Sequence, residues 1–145
     1  MKKITFLSLI IALIIGSCTQ GKRSPIEGAW QNVYGKVVSK DTIINYPSTL
    51  KDHYMKIIGK KYFTTIWQDT IINKTNWWYS GFNGGTYTFQ NGIYTEQELY
   101  FSIPSNIGNK VAFKAEIKDD TLILTGIPLK GYENVTYVEK LKRLK

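Results

Sequence analysis

The chain divides into two kinds of patterning: an apolar run at the start, then two-residue alternation through most of the remaining length. The alternation is clearest from Val111 to Lys118, where Phe113, Ala115 and Ile117 fall on one face of an extended segment and Lys114, Glu116 and Lys118 on the other. Asp119-Asp120 supplies a turn, and the β-branched stretch Thr121 to Thr125 returns as its partner. Further strands are expected over 29–38, 42–46, 54–58, 62–68, 86–90, 93–101 and 135–144, separated by turns rich in Gly, Asn, Asp, Pro or Lys. The stretch 73–85 is rich in Gly and Asn and is expected to be a long loop. No segment beyond residue 18 sustains a helical apolar period. Eight or nine short antiparallel strands predict an all-β fold, an up-and-down β-barrel of about eight strands, with a β-sandwich as the alternative.

One hairpin can be registered residue by residue. Asn91-Gly92 suits a two-residue type I′ turn, whose central positions both need positive φ. Counting outward pairs Phe89 with Tyr94, Tyr87 with Glu96 and Gly85 with Glu98. Tyr87, Phe89, Tyr94, Glu96, Glu98 and Tyr100 then share a face that should point inward. Burying Glu96 and Glu98 costs several kcal/mol each, roughly, unless they are paired, protonated or in contact with water. Two outcomes stay open: a water-containing cavity, or carboxylates that sit at the barrel mouth or pair with tyrosine hydroxyls. If Gly59-Lys60-Lys61 is a three-residue loop, the second hairpin sets Ile57 against Phe63, Met55 against Thr65 and His53 against Trp67. A different loop length would reverse the face.

The apolar run, Ile4 to Ile15, comes after the basic Lys2-Lys3 and is too short for a membrane span, which needs ~20 apolar residues. It fits the apolar core of a signal peptide. Ile15-Gly16-Ser17-Cys18 resembles the lipobox of bacterial lipoproteins, in which the cysteine is acylated, palmitate being one such acyl group. The expected organisation is a signal peptide over 1–17, a lipid-anchored flexible tether over 18–25 and the barrel over 26–145. The mature chain would hold 128 residues (145 minus 17), enough for one domain, and its formal charge would fall from +8 to +6 with Lys2 and Lys3 removed. With Cys18 the sole cysteine, no disulfide framework exists.

Catalytic chemistry narrows by subtraction. One histidine and one lipidated cysteine leave no Ser-His or Cys-His pair, no zinc set and no phosphate-cradling motif, so neither a catalytic residue nor a cofactor nor a metal is assigned. Glu96 and Glu98, on one strand, keep a hydrolase or isomerase open as a minor reading. The positive charge suits solubility and attraction to anionic head groups or acidic glycans better than nucleic acid in an exported protein. Trp77-Trp78-Tyr79 places adjacent rings on opposite sides of an extended segment, so at least one should line a rim or lid.

Gly28-Ala29-Trp30 at the start of the domain resembles the Gly-x-Trp signature of lipocalins and related calycins, and Arg143 in the last strand resembles the basic residue packed over that tryptophan. Gly84-Gly85-Thr86-Tyr87 and Tyr94-Thr95-Glu96 are similar to segments of lipocalin-like domains in small envelope lipoproteins of Gram-negative bacteria. The resemblance runs from Gly28 to Arg143 and implies a barrel closed by Gly28, Trp30 and Arg143. The other lipocalin loop motifs are not evident, and Leu141 stands where such relatives often carry an aromatic residue. A pocket lined by His53, Trp67, Tyr87, Tyr94, Glu96 and Glu98, with Trp77 and Trp78 at its rim, is expected to bind a small apolar or amphipathic molecule. The alternative is a non-enzymatic module that recognises an envelope protein or glycan through its outer loops. The expected setting is a monomer held by lipid on Cys18, in the outer membrane and facing the periplasm.

Overall fold

The computed structural model describes residues 23–39, 43–45, 54–68, 80–128 and 133–145. Among the described residues the alternating segments form nine strands: β1 Gly28–Val38, β2 Ile43–Asn45, β3 Tyr54–Ile58, β4 Tyr62–Gln68, β5 Ser80–Gln90, β6 Ile93–Phe101, β7 Lys110–Lys118, β8 Thr121–Ile127 and β9 Thr136–Arg143. From β3 to β9 each strand pairs antiparallel with the next, and β1 pairs with β3 on one edge and β9 on the other. The single sheet therefore closes on itself, which rules out the sandwich. Because β2 pairs Lys36–Val38 at the far end of the edge that β3 uses, the two short strands share one stave and the barrel has eight.

Tight turns gather at one end of the barrel and longer connections at the other. The β5–β6 turn has φ of 51° at Asn91 and 75° at Gly92, as a type I′ turn requires. It sets the register that the sequence dictates, Phe89 with Tyr94, Tyr87 with Glu96 and Gly85 with Glu98. Beyond Glu98 the pattern departs from expectation. Leu99 is an extra residue in a β-bulge, since Gly84 pairs with Tyr100, and one extra residue reverses the alternation. Tyr100 is thereby turned outward, 66% exposed, while the Phe101 ring packs edge-on against Trp67 at 6.2 Å. Gly85 permits the bulge, because a Cβ there would collide with the Gln97 carbonyl oxygen.

Two further expectations are corrected. The β3–β4 connection is a two-residue turn at Lys60-Lys61, closed by the Gly59 N–H donating to the Tyr62 carbonyl at 2.9 Å. Ile58 therefore faces Phe63, Lys56 faces Thr65 and Tyr54 faces Trp67, one residue out of step with the expected pairing. The slip sends Lys56 inside and leaves Ile57 40% exposed. The first half of β5, Ser80 to Gly85, is strand rather than loop: its Gly and Asn residues have little strand propensity, but pairing with Trp67, Ile66 and Thr65 of β4 overrides it.

The closed end is sealed where the first and last strands meet. Trp30 is fully buried beside its strand partner Arg143, whose guanidinium carbon lies 4.0 Å from the indole centroid. Arg143 also donates to the carbonyls of Pro25 and Glu27 at 2.8 Å each, and the indole N–H donates to Ile26 at 2.9 Å. Gly28, at φ 150°, leaves the guanidinium its space; a Cβ would fall 2.5 Å from Arg143 Nη1. Above this seal, Ile58, Phe63, Leu122 and Leu141 form the apolar floor of the barrel.

Candidate functional site

The middle of the barrel holds charge. Lys56 of β3 reaches across the interior to Glu96 of β6, Nζ to Oε1 2.8 Å, and lies 3.5 Å from Oε2 of Glu139 on β9. The rings of Phe63, Tyr94 and Phe113 surround the ammonium at 5.9, 5.7 and 5.6 Å from their centroids. Burial pulls the Lys56 ammonium toward its neutral form, but the charges of Glu96 and Glu139 and the hydrogen bond to Glu96 together outweigh it, so its pKa is held above the ordinary lysine value. Burial first, then the charge of Glu96, pushes the Tyr94 hydroxyl well above the usual tyrosine range. Tyr54 donates to Oε1 of Glu139 at 2.9 Å. Glu96 thus faces a cation inside the protein, and its carboxylate is explained by structure.

The next band toward the long-connection end is different. Thr65, Asn83 and Glu98 lie side by side on β4, β5 and β6, and Asn83 Nδ2 donates to Glu98 Oε1 at 2.9 Å. Thr65 Oγ1, Asn83 Oδ1 and Glu98 Oε2 are all buried without a hydrogen-bond partner among the described residues. Burial, reinforced by the charge of Glu96, raises the Glu98 carboxyl to about 7, although Asn83 and Lys56 pull it down. Above this band the rings form a wall: Tyr54 stacks on Trp67 at 6.4 Å, and Phe101 meets Trp67 edge-on. Gly81 makes room for that wall, since a Cβ there would fall 2.5 Å from the Trp67 ring. Two acceptors, a hydroxyl and an aromatic wall together fit a molecule that carries a donor or cationic group on an apolar body.

Of the residues singled out from sequence, Trp67, Tyr94, Glu96 and Glu98 point into the barrel, spread over two layers. Tyr87 lies nearer the closed end, its hydroxyl donating to the Gly59 carbonyl at 2.6 Å and its ring 5.4 Å from that of Tyr94. Cys18, His53, Trp77 and Trp78 lie outside the described residues. Sequence reasoning missed Lys56, Asn83, Tyr54 and Glu139. Glu139 left a signal, an acid two residues from Leu141 on the inward face of the last strand; Lys56 left none, because Met55 and Ile57 on either side are the apolar choice. Among the described residues, no group of three or more His, Cys, Asp or Glu side chains is placed to hold a metal ion.

A concavity lies on the outside of the barrel. On the outer face of β4, β5 and β6 a shallow groove of about 520 Å³ runs over Gly84 between Tyr62, Phe82 and Tyr100. Tyr62 and Tyr100 are 63% and 66% exposed, and among the described residues no charged side chain lines the groove.

No family model and no curated protein matches the chain. Among solved structures, it is similar to a lipocalin-like protein from Bacteroides uniformis ATCC 8492, with 15% sequence identity over 83% of this chain and 100% of that one, at a TM-score of 0.49.

Proposed function

We propose that the barrel is a carrier or sensor that binds a small amphipathic molecule between the Glu98 band and the Trp67 wall. The observation that supports this reading is the row of buried, unpartnered Thr65 Oγ1, Asn83 Oδ1 and Glu98 Oε2. Leaving such groups unmet costs roughly 1–3 kcal/mol each, which a ligand donor would offset. Among the described residues Glu96 is engaged by Lys56, and the unpartnered Glu98 Oε2 supports ligand binding as our reading of this band.

Phenethylamine and its uncharged analogue 2-phenylethanol test the reading. The amine should bind more tightly as pH rises from about 6 to about 8, because Glu98 loses its proton near 7, whereas the alcohol should show no such change. Glu98→Gln should abolish the difference between the two probes by calorimetry. The same substitution changes stability with a definite sign. A carboxyl raised in the folded state binds more protons folded than unfolded, so wild-type stability falls as pH rises from the unfolded value toward 7, and Glu98→Gln flattens that slope. If Glu98→Gln binds both probes as wild type does, this site is wrong.

The setting we propose is the cell envelope: an acyl chain on Cys18 holds the chain to the outer membrane with the barrel on the periplasmic side, as a monomer. Cys18→Ser should abolish metabolic lipid labelling and shift the protein out of the membrane fraction. Unchanged fractionation would exclude the anchor. A second reading, recognition of an uncharged glycan or a protein, is favoured by the charge-free groove over Gly84. Tyr100→Ala should then weaken capture of that partner without altering the response to phenethylamine.

A further inference from the structure

The two ends of the barrel carry different charge. At the tight-turn end lie Arg23, Lys60, Lys61, Lys118, Lys142, Arg143 and Lys145 against Glu27, Asp119 and Asp120, seven cations to three acids. Arg143 is committed to Trp30, while Lys60, Lys61, Lys118 and Lys142 are exposed. Two of the three acids are engaged locally: Glu27 accepts from the Ser24 N–H at 2.9 Å, and Asp120 lies 3.6 Å from Lys145. In sequence, the segments 39–42, 46–53, 69–79, 102–109 and 128–135 that join the opposite strand ends, together with Lys110 at the start of β7, hold five lysines and four acids, a net of +1 against +4 (seven minus three) at the tight-turn end. The chain enters the barrel at the basic end, where the Ser24 to Glu27 turn leads into β1.

We infer that the tight-turn end is a docking surface for an anionic lipid bilayer, which holds the barrel upright with its long connections and the Glu98 band facing away from the membrane. Only the orientation relative to the anchor rests on the proposed acylation of Cys18; the charge asymmetry does not. Six Cα–Cα steps (24 minus 18) lead from Cys18 to Ser24, a span of at most about 22 Å when fully extended. A coil of that length averages roughly 13 Å end to end, close to the ~10 Å screening length at 0.1 M salt, so an anchored barrel keeps this end within the surface potential. Each lysine brought to an anionic surface contributes about a fivefold gain in affinity, and the Lys60-Lys61 turn projects two together. The phosphate-rich layer of a bilayer is a flat, laterally continuous anion, and cations distributed over three separate turns and a strand end can meet it at once.

The test uses the unit from Arg23 to Lys145, which holds every described strand and every acceptor of the Trp30 and Arg143 seal, and whose cooperative unfolding by circular dichroism is established first. It should cosediment with phosphatidylcholine vesicles containing phosphatidylglycerol and not with phosphatidylcholine alone, and should be released by salt. Lys60→Glu with Lys61→Glu should lower the apparent affinity by more than about tenfold, while Lys110→Glu at the opposite end changes it little. Equal binding to neutral vesicles, equal loss with Lys110→Glu, or preferential binding to the soluble polyanion heparin would each overturn the inference. Since this unit lacks Cys18, failure here leaves acylation standing, and the labelling of Cys18→Ser reports on that separately.

Discussion

Lys56→Met should destabilise the barrel by about 3–5 kcal/mol in denaturant unfolding at neutral pH, more than its loss of packing explains. Methionine fills a similar volume among Phe63, Tyr94 and Phe113, so the cost comes from what remains: Glu96, buried at 2% exposure, keeps its charge and loses the cation 2.8 Å away. Adding Glu96→Gln to Lys56→Met should restore a large part of the loss, since the charge is then gone as well. If Lys56→Met costs less than about 1 kcal/mol, or if Glu96→Gln alone is as harmless as an exposed substitution, the ion pair does not organise the interior.

Removing residues 140–145 should cost more still, about 5 kcal/mol or more, which is comparable with the whole stability of a domain this size. The deletion removes fully buried Leu141 and the Arg143 guanidinium over Trp30, together with the backbone bonds from Arg143 to Asp120 and from Leu144 to Ala29. It also exposes facing edges of β1 and β8, and unpaired edges invite association with other chains. Arg143→Ala, which keeps the strand, should cost only about 1–2 kcal/mol through lost stacking and stem packing. A truncated chain that melts cooperatively at the wild-type temperature by circular dichroism would show that β9 is dispensable for closure.

The sequence was readable wherever local chemistry and burial agreed. Asn91-Gly92 fixes its turn by backbone conformation alone, and from that turn the inward positions of Tyr94, Glu96 and Glu98 are reached by counting. Counting stopped working at Leu99, because a bulge is decided by how β5 and β6 meet at Gly84-Gly85 and leaves no mark in alternation. The β3 face was misread for the opposite reason. Met55 and Ile57 look like the buried pair, and local hydrophobicity prefers them to Lys56. What reverses the choice lies far along the chain, in Glu96 and Glu139, whose charges need a cation that no nearby segment supplies. Both carboxylates on β6 were placed inside by register, yet their different fates, one paired and one open, depend on that same distant lysine. The Gly-rich opening of β5 was hidden because its pairing with β4, rather than its own propensity, makes it a strand.

The seam between β1 and β9 also bears on the order in which the molecule assembles. From β3 to β9 every pairing joins consecutive strands, whereas Trp30 and Arg143 are neighbours in space across 113 positions of chain (143 minus 30). Closing so long a loop forfeits chain entropy that the local hairpins do not, and its contacts repay that loss once the strands between are in place. The meander is therefore expected to form first and the seam to zip last, with Arg143 among the contacts absent from the folding transition state. Arg143→Ala should accordingly accelerate unfolding and leave the refolding rate nearly unchanged in stopped-flow measurements. The guanidinium over the indole works as a kinetic latch: it sets how long the closed barrel lasts rather than how quickly it forms.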